Sequence, residues 1–157
     1  MRRLLASTAA VASAIATAVL LFTGAPTAAA DDLPPVAVED FVYPGADEIY
    51  AERGIRLTTG DGNILLADCG PAGLIEVWAR EFEDRFCFSV KGPAGRLAME
   101  LPAVYGIKSN GYTIEADMTV DGTETSYDID PNSWAGVGEA DDPAEREHTL
   151  VELRATK

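Results

Sequence analysis

Tyr112-Thr113-Ile114-Glu115-Ala116-Asp117-Met118-Thr119-Val120 decides the fold class. Tyr112, Ile114, Ala116, Met118 and Val120 alternate without a break with polar or charged neighbours. That period of two belongs to a strand with one apolar and one wet face. Asp121-Gly122 follows as a turn with positive-φ residues, and Glu124–Ile129 is placed to return beside it. Upstream, Phe86, Phe88 and Val90 alternate with Cys87 and Ser89, and Leu97, Met99 and Leu101 with Ala98 and Glu100.

The same texture runs from Gly54 to the C-terminus. Strands are predicted near Ile55–Thr59, Ile64–Cys69, Leu74–Glu81, Arg85–Lys91, Arg96–Leu101, Tyr112–Val120, Glu124–Ile129 and Thr149–Ala155. Gly60-Asp61-Gly62-Asn63, Gly70-Pro71-Ala72-Gly73 and Gly92-Pro93-Ala94-Gly95 separate them with turn chemistry. Eight short strands at this spacing predict a mainly β domain, an antiparallel sandwich or barrel. One short helix is predicted N-terminal to them, over Ala46–Arg53. Asp47 and Glu48 stand in its first turn, Arg53 in its last, and Gly54 follows as a left-handed stop. Val36, Val38 and Val42 are placed to supply a first strand. Ala103-Val104-Tyr105-Gly106-Ile107 reads as an apolar loop, and Gly136–Glu147 as an acidic, mobile excursion.

Residues 1–30 have a different character. Met1-Arg2-Arg3 is basic, Leu4–Phe22 is uncharged and apolar, and Ala28-Ala29-Ala30 is a small-residue stop before Asp31-Asp32. This is the layout of a secretory signal peptide with an A-x-A site, cleaved after Ala30. The run is rich in Ala, Ser and Thr, hence weakly inserting, and no basic stop-transfer cluster follows it. The reading is therefore residues 1–30 as signal and 31–157 as one secreted extracellular domain, with no membrane association after cleavage.

In an oxidising compartment the two cysteines, Cys69 and Cys87, are expected to form a disulfide bond. The chain has 26 acidic and 12 basic residues, a net charge of −14. With Arg2 and Arg3 removed, 10 basic residues face 26 acidic ones, a net −16. Such a surface excludes nucleic acid as a partner, since that binding requires positive charge. It excludes an anionic membrane face for the same reason.

A catalytic reading finds little to build on. His148 is the single histidine, and no nucleophile elbow surrounds Ser89, Ser109, Ser126 or Ser133. A hydrolase using acidic residues is an alternative carried only by their abundance. Asp128-x-Asp130-x-Asn132, with Glu139, falls at positions 1, 3, 5 and 12 of a calcium loop. Ser133 stands where that loop needs glycine, Pro131 stiffens it, and helices do not flank it. An EF-hand is excluded. Two readings remain, a loose calcium site and a polar turn, and the turn is the weightier. No other cofactor is implied. Among the aromatics, Trp78 lies in an apolar run and reads as core. Trp134 and Tyr105 are the candidates for a binding surface, offering a broad apolar face with a polar edge.

Val38-Glu39-Asp40-Phe41, Tyr43-Pro44-Gly45-Ala46, Gly60–Cys69 (GDGNILLADC) and Val104-Tyr105-Gly106-Ile107 together resemble uncharacterised small exported proteins of GC-rich Gram-positive bacteria. The resemblance spans residues 31–157 and implies secretion and a single small domain; it brings no activity with it. The expected role is a non-catalytic one: binding an extracellular protein or glycan. A protease inhibitor presenting a rigid loop, Gly92–Gly95 or Ala103–Asn110, is the alternative. The inhibitors of such bacteria usually carry two disulfides, and this chain can form one.

Overall fold

The computed structural model describes residues 40–157. The expected signal peptide, and the lead-in with Val36 and Val38, lie outside them. Eleven strands form two antiparallel sheets. β1 (Phe41–Val42), β2 (Arg56–Gly60), β6 (Ala94–Leu101), β11 (Thr149–Thr156), β8 (Thr113–Val120) and β9 (Thr123–Ile129) make the first, in the order β1-β2-β6-β11-β8-β9. β3 (Ile64–Ala67), β4 (Ile75–Ala79), β5 (Phe86–Val90), β7 (Val104–Lys108) and β10 (Trp134–Gly136) make the second, in the order β10-β7-β4-β5-β3. The sheets do not close on each other; the architecture is a sandwich, not a barrel.

The core lies between the sheets. The apolar set of β8, including Ile114, Ala116 and Met118, is buried with Leu97, Met99 and Leu101 of β6 and Leu150, Leu153 and Ala155 of β11. Ile75 and Val77 of β4, Phe86 and Phe88 of β5 and Ile107 of β7 face them from the other sheet. The one α-helix among the described residues, α1, spans Ala46–Arg53 as predicted, and Gly54 ends it at φ 73° with its N–H donated to the Tyr50 carbonyl. Two turns cannot stand alone in water. α1 holds by resting Ala46 and Ile49 on the core.

Two strands, β7 and β10, go beyond those expected, while the first strand looked for with Val42 is present as β1. β1 is a short pairing on β2. β7 replaces the apolar loop read over Ala103–Ile107: it is an interior strand between β4 and β10, so Ala103–Asn110 is not a projecting loop. β10 follows the Pro131-Asn132 turn. Gly106 and Gly136 hide both strands from a β pattern, because glycine carries no side chain to alternate.

Gly136–Glu147 is also not the loose excursion expected. Gly138–Ala140 forms a 3-10 turn with Val137 and Gly138 buried. Beyond it, Arg146 Nε donates to Asp142 at 2.6 Å and the Ala144 N–H donates to its other oxygen at 3.0 Å. Those bonds, Arg146 first, hold the Asp142 carboxyl down to about 2.

The outer face of the first sheet is a lattice of ion pairs. Arg154 on β11 meets Asp117 at 2.9 Å, and also Glu115 and Glu152. Arg96 on β6 meets Glu152 at 2.6 Å, and Asp40. Asp117 and Glu152 are buried, and Ser126 donates to Asp117. Removing Arg154 leaves these carboxylates facing one another. Arg154→Leu is expected to cost about 2 kcal/mol at neutral pH, below the ~3–5 kcal/mol of a fully buried broken pair, because the guanidinium is itself partly exposed and Arg96 still holds Glu152. Urea unfolding of both proteins measures the difference; an unchanged midpoint would refute a stabilising lattice.

Candidate functional site

The outer face of the second sheet has the opposite chemistry. Alternation puts Glu76 and Trp78 of β4 outward while Ile75, Val77 and Ala79 turn in. Trp78 is therefore half-buried on the outside, not in the core. Its neighbours were read as a continuous apolar run, because an outward tryptophan masks the period of two. Pairing then sets one row of residues straight across the sheet: Trp134 opposite Lys108, Lys108 opposite Glu76, Glu76 opposite Cys87 and Cys87 opposite Ala67. The adjacent row runs Gly136, Gly106, Trp78.

Those two glycines make room for an indole. Trp134 lies across Gly106 so closely that a Cβ there would stand 2.8 Å from its Cζ2 atom. The ring thus lies against the backbone of β7 while Trp134 remains 56% exposed. Trp134 is fixed before any ligand arrives, which spares the entropy of ordering it on binding.

Charged groups border the ring. Lys108 Nζ donates to Glu76 Oε1 at 2.9 Å. Arg85 Nε stands 2.6 Å from Glu76 Oε2, a charge contact without hydrogen-bond alignment. The Lys108 bond is the main reason the Glu76 carboxyl sits below its ordinary range. Tyr105 also reaches this face. It is the extra residue of a β-bulge: β4 pairs Trp78 with Gly106 and Ala79 with Val104, leaving Tyr105 between. Arg80 lies 4.9 Å over the Tyr105 ring and meets Glu139 at 2.7 Å. The Cys69–Cys87 disulfide, with Cα atoms 5.3 Å apart, ties Cys87 in this row to the chain just after β3.

The four residues of the calcium-loop spacing are not gathered. Asp128 is on β9 of the first sheet, opposite Glu115. The turn after it is closed by its own bonds. Asn132 N–H donates to the Asn110 carbonyl, Ser133 N–H to the Asp130 carbonyl, and Ser109 Oγ to the Asp130 carbonyl. Asn132 takes the left-handed conformation, φ 56°. The chain then enters β10, and Glu139 ends against Arg80 instead of the turn. Among the described residues no group of three or more His, Cys, Asp or Glu is arranged to hold a metal ion. Asp130 and Asn132 lie in the turn between β9 and β10, with Asp128 on β9 and Glu139 held by Arg80.

His148 is buried at the start of β11, its Nδ1 2.8 Å from the Arg146 carbonyl. A carbonyl only accepts, so Nδ1 carries the proton. The ring is thereby tied to backbone and not to a hydroxyl or carboxylate. A depression of about 600 Å³ beside α1 and β6 includes Glu81 and Glu100. Arg56 holds Glu100 at 3.2 Å. Among the described residues no helix is long and apolar enough to cross a membrane. No protein-family model matches this chain, and no curated protein matches it.

Proposed function

We propose that the protein is an exported, non-catalytic binding protein whose ligand, an extracellular protein or glycan, docks on the outer face of the second sheet. The observation that carries this reading is Trp134: an exposed indole packed against Gly106, on the same face as Tyr105 and the Lys108–Glu76 pair. Rigid aromatics of this kind dominate binding energy where they occur at interfaces. Lys108, Glu76 and Arg80 supply polar groups at the margin, which give orientation more than affinity. Export rests on the layout of residues 1–30 and is consistent with the disulfide.

The test is capture from culture supernatant and from cell-wall fractions with immobilised protein, wild type against Trp134→Ala. The protein fraction and the glycan fraction are read separately. The expected result is a retained component whose affinity falls about tenfold or more on loss of the ring, the scale of a hot-spot residue. Gly106→Ala sharpens the test. It leaves every aromatic in place but pushes the indole off its seat, so it is expected to shift tryptophan emission and weaken binding together. A ligand retained equally by all three proteins would refute the Trp134 face.

A further inference from the structure

A second surface lies on the side of the molecule where β1 ends one sheet and β3 ends the other. Among the described residues β3, Ile64–Ala67, pairs only with β5. Its sequence Ile-Leu-Leu-Ala holds no charge and no proline, the devices that usually keep a sheet edge from pairing. Backbone groups along an antiparallel strand face the partner and face away by turns. The Leu66 N–H donates to the Tyr43 hydroxyl at 2.8 Å, so the groups of Leu66 and Ile64 are those turned away from β5. Tyr43 is the only described cover of that edge the hydrogen bonds record, and it satisfies one group.

Apolar hollows flank the contact. One of about 490 Å³ has Pro44, Ile49, Leu65 and Leu66 in its lining. Another of about 110 Å³ lies between Phe41, Val42 and Leu65. Phe41 and Val42 are 59% and 78% exposed, a pairing of large apolar groups in water that calls for an occupant. The rim is acidic: Asp47, Glu48, Glu52 and Asp68 are all exposed. Arg53 is the opposing charge, and its guanidinium is drawn aside, 5.7 Å from the Phe86 ring.

Charge selects the occupant. A second copy of this chain would bring the same carboxylates to both sides of one seam, where like charges oppose each other. An extended chain with basic side chains meets no such penalty. Its backbone continues the sheet at β3, and one set of alternate side chains enters the hollows while the other reaches the acidic rim. We propose that the β3 edge and its flanking hollows bind an extended cationic segment of another protein by strand addition. This surface is separate from the Trp134 face, and its assignment stands or falls independently.

The probe is a fluorescein-labelled heptapeptide of alternating Val and Lys, titrated with the chain beginning at Asp31 and read by anisotropy. Controls are the same peptide with Glu for Lys and one with Pro at its centre. Saturable binding of the Val/Lys peptide alone is expected, weakening severalfold as salt rises. Leu65→Lys should weaken it tenfold or more. The surface double variant Glu52→Lys/Asp68→Lys should do likewise, should Leu65→Lys disturb folding by near-UV circular dichroism. Glu124→Lys, the same kind of charge change on β9 at the opposite edge, should leave it within twofold, as should Trp134→Ala. Equal loss in Glu124→Lys would mean attraction to net charge only and would overturn the proposal. So would binding of the proline peptide as tight as the parent. A dimer by sedimentation equilibrium that Leu65→Lys dissolves would assign the edge to a second copy instead. Tighter peptide binding by the uncharged variant Val36→Ser/Val38→Ser would assign it to the chain's own lead-in, and would equally overturn it.

Discussion

Gly138→Ala is expected to lower the stability of the protein by about 3 kcal/mol, the sum of left-handed strain on a residue with a Cβ and the cost of overfilling a packed site. Gly138 has φ 55°, and a Cβ built there would lie 2.6 Å from the Val104 carbonyl oxygen, 2.9 Å from Met118 Cε and 3.0 Å from His148 Cβ. The nearest of these is backbone of an interior strand, which cannot swing aside as a side-chain tip can. For a domain of this size the loss corresponds to a fall in melting temperature on the order of 10 °C. Gly138→Asn separates the two causes. Asparagine tolerates the left-handed region but brings the same Cβ, so matching losses in Ala and Asn variants place the cost in the contact. A melting temperature within a degree of wild type for Gly138→Ala would show that the chain does not pass beneath β7 in this way.

Replacing both cysteines with alanine is expected to cost a similar amount, about 3 kcal/mol for a closed loop of this length. The bridge joins positions 18 apart and ties the chain just after β3 to the buried Cys87 in β5. β3 is four residues long and, among the described residues, is held by β5 on one side only. Without the bridge its far end depends on a few ladder bonds, so hydrogen exchange should rise first at Leu65, Leu66 and Ala67. Guanidinium unfolding of the Cys69→Ala/Cys87→Ala variant gives the free energy. Intact mass after alkylation, with and without reductant, checks the bond itself. Two alkylated thiols in the unreduced protein would contradict the bridge.

Local chemistry made much of this legible beforehand. The helix Ala46–Arg53 is bounded by acidic residues at one end and Gly54 at the other, and such signals act over one turn. β8 could be read from its strict alternation, and most other strands fall within a few residues of expectation. What was not legible depends on partners far along the chain. Trp134 becomes a seated platform only because β10 pairs with β7, some thirty residues upstream, and brings Gly106 under the ring. No pattern around Trp134 encodes that glycine. Trp78 was misplaced for a related reason: Leu74–Ala79 is apolar on both faces apart from Glu76, so period alone cannot say which side faces the core. The Asp128–Glu139 spacing does not show the course of the chain: a ligand loop curls round one point, whereas here Asn132 and Ser133 turn it into another strand.

The ion-pair lattice on the first sheet gives the molecule a front and a back. The cations of that face are already spoken for: Arg56 by Glu100, Arg96 by Asp40 and Glu152, Arg154 by Glu115, Asp117 and Glu152. A polyanion approaching from that side finds no uncommitted positive charge to grip, while the aromatic side offers an indole and a tyrosine. An anionic surface approaching the lattice side meets four carboxylates, Asp40, Glu115, Asp117 and Glu152, held by two guanidiniums, Arg96 and Arg154, and is repelled there.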